Sequence, residues 1–189
     1  MEQDKHRWNK RYRTGSWGIP QPDDFLVLNS QLLSGGSALD LACGLGGNAI
    51  FLARNNYWVD AVDVSEYALR DIQRRAHDLG LDLGLVVSDL DYFPIPHNHY
   101  DLVLVFYFFS QNIIPGIIKA LRSGGLIIYC TYNYRHLSLR PDFKAEYLVP
   151  ACGLAPFFSG MRILVDEPEA GDTGNLSRIV VQRVDDRLV

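Results

Sequence analysis

The run Gly44-Leu45-Gly46-Gly47, directly behind the apolar stretch Ser37–Leu41, constrains this chain more than any other feature. Glycines at this spacing let a backbone leave a strand, turn sharply and approach a bound molecule without a Cβ in the way. The stretch Asn48–Asn55 follows at once, with Ile50, Phe51 and Ala53 at helical spacing. A helix starting there presents its unpaired N–H groups to the same molecule. The sequence therefore predicts strand, glycine turn and helix as one ligand-binding unit, which needs a sheet to sit in.

The following residues supply that sheet. Tyr57–Val62 is β-rich and ends at Asp63. Ser65 can cap a helix carrying Tyr67, Ala68, Ile72, Arg75-Ala76 and Leu79 at periods of three and four, and Gly80 stands where its C-cap belongs. Leu83–Val87 reads as a third strand and Tyr100–Tyr107 as a fourth, apolar on both faces like a central parallel strand. Ile113–Leu121 reads as a helix, Ser123-Gly124-Gly125 as a turn and Leu126–Tyr132 as a fifth strand. This alternation predicts a parallel, doubly wound α/β sheet with right-handed crossovers.

Beyond residue 136 the rhythm changes. Phe143–Cys152 reads as a short helix, while Arg162–Val165 and Arg178–Val184 read as an antiparallel edge pair. A polar loop with Asp166, Glu167, Glu169 and Asp172 joins that pair. At the front, Trp8 and Tyr12 share one helix face, Pro20-Gln21-Pro22-Asp23 is a turn, and Phe25–Leu33 is helical. One domain over 1–189 is expected, with a helical cap at 1–34, a cofactor-binding core at 35–135 and a C-terminal edge at 136–189.

Composition narrows the partners. The chain has 189 residues, 48% hydrophobic and 21% charged, with a formal net charge of −4, so it lacks the basic footprint a nucleic acid needs. Lys5–Arg13 is broken by aromatics, and Arg70–Arg75 reads as the wet face of a helix. Cys43, Cys130 and Cys152 are odd in number and widely spaced, with no metal-ligand pattern; buried free thiols in a reducing compartment are expected. Met1-Glu2-Gln3-Asp4 lacks the apolar core of a signal peptide, and Leu102–Phe109 is too short to span a bilayer. The expectation is a soluble cytoplasmic protein, with its oligomeric state open.

Gly44 to Ala49 also fits the pattern G-x-G-x-x-A of dinucleotide sites, so an NAD(P)-dependent oxidoreductase is one reading. Asp40, four residues before Gly44, separates the alternatives. A carboxylate there repels a pyrophosphate but attracts the ammonium and sulfonium of S-adenosylmethionine. At ~4 Å and an effective dielectric of about 20 that attraction is roughly 4 kcal/mol before desolvation, and its sign decides more than its size. Asp63 can accept hydrogen bonds from ribose hydroxyls, or simply lead into the cap at Ser65. Asp89 can accept from an adenine amino group while the backbone of Leu90 meets the ring, or it can be a turn aspartate.

Leu39-Asp40-Leu41-Ala42-Cys43-Gly44-Leu45-Gly46-Gly47-Asn48-Ala49 resembles the first motif of class I S-adenosylmethionine-dependent methyltransferases. Ala61-Val62-Asp63-Val64-Ser65 resembles the second, and Ser88-Asp89-Leu90, Tyr100-Asp101-Leu102-Val103 and Ser123-Gly124-Gly125-Leu126 follow in that family's order. Asn48–Ala53 and the aromatic front look similar to the tellurite-resistance and thiopurine-type branch. The resemblance implies a Rossmann-like seven-stranded sheet ordered 3-2-1-4-5-7-6, strand 7 antiparallel, with helices on both faces. It also implies S-adenosylmethionine as cofactor. Asp40, Gly44 and Gly46 would surround its methionine part, Asp63 its ribose, and Asp89 with Leu90 its adenine. Ala42 and Val64 would complete the cofactor contacts, and the Phe106 backbone would lie near the methyl-donor end.

Methyl transfer is an in-line displacement that draws its rate from alignment and exclusion of water. The acceptor belongs beyond the carboxyl ends of strands four and five, at Phe106-Tyr107-Phe108-Phe109-Ser110 and Tyr132-Asn133-Tyr134-Arg135-His136. Four aromatics stand where base-methylating enzymes often carry Asn/Asp-Pro-Pro-aromatic, which suits a small-molecule acceptor. Tyr107 could position or deprotonate that acceptor, or be core; His136 could be a base or an anion contact, or be solvated. Trp8, Arg11, Tyr12 and Trp17 could close over the cofactor or simply pack a helix. A non-catalytic nucleoside-binding module is the remaining alternative.

Overall fold

The computed structural model describes residues 2–184; the outermost ends of the expected 1–189 span lie outside the described residues. Seven strands form one sheet in the order β3-β2-β1-β4-β5-β7-β6, the order the resemblance implies. By internal packing the chain divides into two compact units, residues 1–94 and 95–189.

The first unit holds α1 (Glu2–Thr14), α2 (Asp24–Leu28), β1 (Gly36–Leu41), α3 (Gly47–Arg54), β2 (Tyr57–Asp63), α4 (Glu66–Asp78) and β3 (Gly84–Val87). β1 pairs parallel with β2, and β2 with β3. Ala38, Leu39, Leu41, Val59, Ala61 and Val62 lose all solvent contact, so both strands read as apolar runs. α4 forms as its sequence signals require. The Ser65 side chain accepts from the Ala68 N–H at the start. At the end Gly80, at φ +66, closes a Schellman turn in which Leu81 N–H donates to Ala76 O and Gly80 N–H to His77 O. Ala68, Leu69, Ile72 and Ala76 form its buried stripe.

Arg75 departs from the expected wet face. It is nearly buried, pairs with Asp71 at 2.8 Å, and donates to the Leu45 carbonyl in the glycine turn. The expected helix Phe25–Leu33 is also shorter. α2 stops at Leu28 because the Asn29 side chain donates to Phe25 O, and a 3₁₀ turn, Ser30–Leu32, follows.

The second unit holds β4 (Tyr100–Phe106), α5 (Ile114–Ala120), β5 (Leu121–Tyr132), β6 (Arg162–Ala170) and β7 (Leu176–Gln182). β4 pairs parallel with β5; β7 runs antiparallel to both β5 and β6. Leu102, Val103, Leu104 and Val105 are fully buried, as a central strand demands. The expected turn at Ser123-Gly124-Gly125 is an excursion within β5: Tyr100 pairs with Leu121 but Leu102 with Leu126.

Two expectations fail in this unit. Phe143–Cys152 forms only a 3₁₀ turn at Ala145–Tyr147, because Val149 bridges to Asn133 and Pro150 follows. The polar loop is mostly strand: β6 takes in Asp166, Glu167, Pro168 and Glu169, leaving only residues 171–175 as the turn. An exposed edge strand accommodates charges, proline and bulges, which also discourage pairing with another chain. Cys130 is buried as expected of the thiols, but Cys43 is half-buried and Cys152 exposed; none of the three is in a disulfide. Among the described residues no helix is long and apolar enough to cross a membrane.

Asn133 holds this unit's loops together. Almost fully buried, it donates through Nδ2 to the carbonyls of Pro168, Gly174 and Leu176 at 2.9–3.0 Å and accepts from Arg135 N–H at 2.9 Å. Asn133→Ala leaves all four backbone groups without that partner, so a loss of ~2–4 kcal/mol is expected in urea unfolding. A loss under ~1 kcal/mol would contradict it.

Candidate active site

In the first unit the carboxyl end of β1 gathers a compact set of groups. Asp40 is 1% exposed, accepts from Ala49 N–H, and leaves Oδ2 with no hydrogen-bond partner. Burial, and then the neighbouring Asp63, push its pKa up to about 8. The chain then turns through Ala42 at φ +56, Gly44 at +52 and Gly46 at +71. A side chain in the left-handed region at Ala42 costs about 1–3 kcal/mol and marks a turn held by its surroundings.

Glycine is required at the turn for two reasons. A Cβ on Gly46 would stand 2.5 Å from Ile72 Cδ1, and one on Gly47 only 2.1 Å from the Gln21 carbonyl oxygen. A strap at residues 20–23 thus lies against the start of α3, tied there by Asp23 N–H donating to Asn48 Oδ1 at 2.8 Å.

Asp63 ends β2, and of its two expected roles the lead into the cap at Ser65 is the one its contacts show. Its Oδ2 accepts from Gly44 N–H and its Oδ1 from Ser65 N–H, each at 2.8 Å, so it braces the turn and leads into the α4 cap. Burial raises its pKa, against the lowering effect of those backbone bonds. The Val64 N–H is a third backbone donor to the carboxylate, which leaves one acceptor position for a ligand hydroxyl. Val64, between Asp63 and the cap, is half-buried. Asp89 accepts from Asp91 N–H at 3.1 Å, which makes it a turn aspartate, with Leu90 half-buried beside it.

The aromatic front belongs to the same unit. Asn9 Oδ1 accepts from Ser65 Oγ and Tyr67 N–H, docking α1 on the start of α4. Trp8 stacks on Tyr12 with centroids 5.5 Å apart, Trp17 tilts against Tyr12, and Arg11 lies over both indoles. The Tyr12 hydroxyl sits 2.9 Å from where a Gly44 Cβ would be, and burial raises its pKa. Sequence spacing alone paired Trp8 with Tyr12. The approach of Tyr12 to the glycine turn depends on docking through Asn9, which no local pattern signals.

In the second unit, Phe106 is buried at the end of β4 and Tyr107 follows at φ +55, half exposed. A tyrosine in left-handed backbone is the sign of a constrained, outward-facing position. Tyr107 lies 5.5 Å from Tyr132 at the end of β5. The His136 ring stacks on Tyr132 at 4.0 Å, and Phe143 meets His136 edge-on at 5.0 Å. His136 is only 9% exposed rather than solvated, and burial, with Arg140 second, lowers its pKa. The structure thus joins Tyr107 and His136 through Tyr132. Phe143 was not singled out from sequence, because it was placed in a helix that does not form. Nearby in the chain, Phe109, Tyr134, Leu137 and Leu148 line a groove of about 330 Å3 that the ring cluster does not share.

Comparison with known proteins agrees with this architecture. A family model described as a methyltransferase domain matches residues 38–125. The phthiotriol/phenolphthiotriol dimycocerosates methyltransferase 1 of Mycobacterium ulcerans is 29% identical over 104 residues, 51% of this chain and 38% of that protein. The probable S-adenosyl-L-methionine-dependent methyltransferase TehB of Haemophilus influenzae is 27% identical over 96 residues, 49% of this chain and 33% of its own. The aligned part is therefore little more than a third of these relatives' length. The crystal structure of geranyl diphosphate C-methyltransferase from Streptomyces coelicolor A3(2) superimposes with a TM-score of 0.73 at 14% identity, covering 97% of this chain and 98% of that one. The chain thus shares the seven-stranded fold of that solved structure, and residues 38–125 of it match the methyltransferase-domain model.

Proposed function

We propose that this protein transfers a methyl group from S-adenosylmethionine to a small-molecule acceptor. The observation that carries the reading is Asp40. A buried carboxyl with one oxygen unpartnered is costly unless a cation completes it. The methionine ammonium, with the sulfonium beyond it, is such a cation, whereas a pyrophosphate is not. Ala42, Gly44 and Gly46 take the left-handed backbone that turns the chain sharply at the end of β1, where a ligand would meet main-chain groups. Asp63 takes a ribose hydroxyl on its remaining acceptor position; Val64, Leu90 and Asp89 frame the adenine.

Bound in this way, S-adenosylmethionine supplies an electrophilic methyl on a positively charged sulfur. The chain's part is to hold the acceptor in line, exclude water, and receive any proton the acceptor loses. Phe106 and Tyr107 end β4 and Tyr132 ends β5, where acceptors bind in sheets of this kind. Tyr107 positions the acceptor from its constrained backbone. The relatives' named acceptors, phthiotriol dimycocerosates and geranyl diphosphate, support a small molecule over a nucleic acid. The TehB match supports a place near that branch. Cysteines outside any disulfide support a cytoplasmic location.

The test is formation of S-adenosylhomocysteine from S-adenosylmethionine across thiol, hydroxyl, amine and carboxylate acceptors. Acceptor-dependent product is expected. S-adenosylhomocysteine binding without turnover on any acceptor would overturn the catalytic reading in favour of a nucleoside-binding module.

A further inference from the structure

The ring cluster holds one polar group whose role the fold does not explain. His136 is nine-tenths buried, yet only its Nδ1 is engaged: Asn175 Nδ2 donates to it at 3.1 Å. The Asn175 amide is oriented in turn, because Thr173 Oγ1 donates to Asn175 Oδ1 at 2.7 Å. An Nδ1 that accepts leaves the neutral ring's proton on Nε2. No side chain or carbonyl among the described residues takes that Nε2–H, and the atom keeps contact with solvent, where a ligand can reach it. Asn175 lies in the turn between β6 and β7, and Asn133, which donates to Gly174 O and Leu176 O on either side of it, fixes that turn.

The surroundings define what this donor can meet. Tyr132 covers one face of the imidazole, Phe143 abuts it edge-on, and Tyr107 extends the aromatic surface beyond Tyr132. The charged side chains that act on the ring are Arg140 and Asp142, which pair with each other at 3.2 Å; Arg135 is occupied by Glu169 at 2.8 Å. A neutral N–H donor amid aromatic rings, with adjacent charges already paired, suits a flat conjugated molecule bearing an oxygen.

Resting on the methyltransferase reading, we propose that His136 donates its Nε2–H to an oxygen of a planar, conjugated acceptor held beside Tyr107, Tyr132 and Phe143. Asn175 and Thr173 are positioning residues that set the tautomer which makes this possible. A hydroxyl, enol or carbonyl oxygen is bound in this way, and a phenolic or enolic hydroxyl that gives its proton to solvent water is held as the anion. In this arrangement His136 orients and stabilises rather than abstracts a proton, since a base at Nε2 needs the opposite tautomer.

The probe is 4-nitrophenol, with nitrobenzene as the same ring without the phenolic oxygen, titrated into the full chain saturated with S-adenosylhomocysteine. Wild type is expected to bind 4-nitrophenol and lower the apparent pKa of the bound chromophore. His136→Phe keeps the stacking ring but removes the donor; it should weaken 4-nitrophenol at least tenfold and leave nitrobenzene within about twofold. Nitrogen-15 NMR of the imidazole should show the Nε2–H tautomer in wild type and a mixture in Asn175→Ala, with part of the affinity loss. Equal losses for the two probes, an Nδ1–H tautomer in wild type, or no 4-nitrophenol binding would each overturn the proposal. Those results leave the methyltransferase reading intact, whereas failure of S-adenosylhomocysteine itself to bind would overturn that reading first.

Discussion

Asp40→Asn is expected to flatten the pH dependence of stability in the ligand-free protein while weakening the cofactor tenfold to a hundredfold. The two effects share one cause. In the folded chain burial holds the carboxyl protonated up to about pH 8, but in the unfolded chain it ionises near 4. Between those values the folded form binds more protons, so stability falls as pH rises, by ~1.4 kcal/mol per unit where the difference is complete. Stability from this group is fully present below about pH 4 and lost as pH passes through about 8. Asp63, also raised by burial, adds a slope of the same sign.

An amide at position 40 cannot ionise, so the slope from this group should vanish and the variant should gain on wild type as pH rises. It also cannot neutralise an ammonium. S-adenosylmethionine and S-adenosylhomocysteine should lose tenfold to a hundredfold in affinity, while 5′-methylthioadenosine, which lacks the ammonium, should lose little. Wild type should release a fraction of a proton on binding at pH 7, visible as a buffer-dependent heat, and the variant none. Equal losses for both classes of ligand would contradict the charge argument.

Gly47→Ala is expected to destabilise the protein by ~1–3 kcal/mol, although alanine is the better helix former. The propensity gain is at most ~1 kcal/mol. Against it stands a Cβ placed 2.1 Å from the Gln21 backbone oxygen, a contact no side-chain rotation relieves. The strap at 20–23 must lift, and its bond from Asp23 N–H to Asn48 goes with it. Gly80→Ala is the control: it meets no atom within 4 Å and bears only the strain of φ +66, about 1 kcal/mol. Thermal melts at one pH separate the two. A Gly47→Ala midpoint at or above that of Gly80→Ala would show that the strap does not constrain the turn.

The repeating part of the fold was legible because its signals are local. Ser65 and Gly80 bracket α4 as capping chemistry requires, and the two-sided burial of Leu102–Val105 follows from an unbroken apolar run. Asp40 stood out because its charge is unusual at the end of a buried strand. Residues beyond β5 were harder. Phe143–Cys152 has enough apolar spacing to suggest a helix, but pairing of Val149 with Asn133 prevailed. In β6, charged residues and Pro168 resemble a loop until an edge strand is known to tolerate them.

The rest of the site arises from contacts distant in sequence. Arg75 reaches the glycine turn thirty residues back, Asn9 meets Ser65, and Asn175 orients His136. Neither Ala42 nor Tyr107 carries in its residue type any hint of positive φ, since glycine is the usual choice there. Such strain is visible only once the fold imposes it.

Calorimetric titration of the wild-type chain with S-adenosylhomocysteine, run beside NADH, tests the central claim most directly. Saturable, stoichiometric S-adenosylhomocysteine binding is expected, with NADH giving no heat at the same concentrations. Saturable NADH binding with no S-adenosylhomocysteine heat at millimolar concentration would contradict the account.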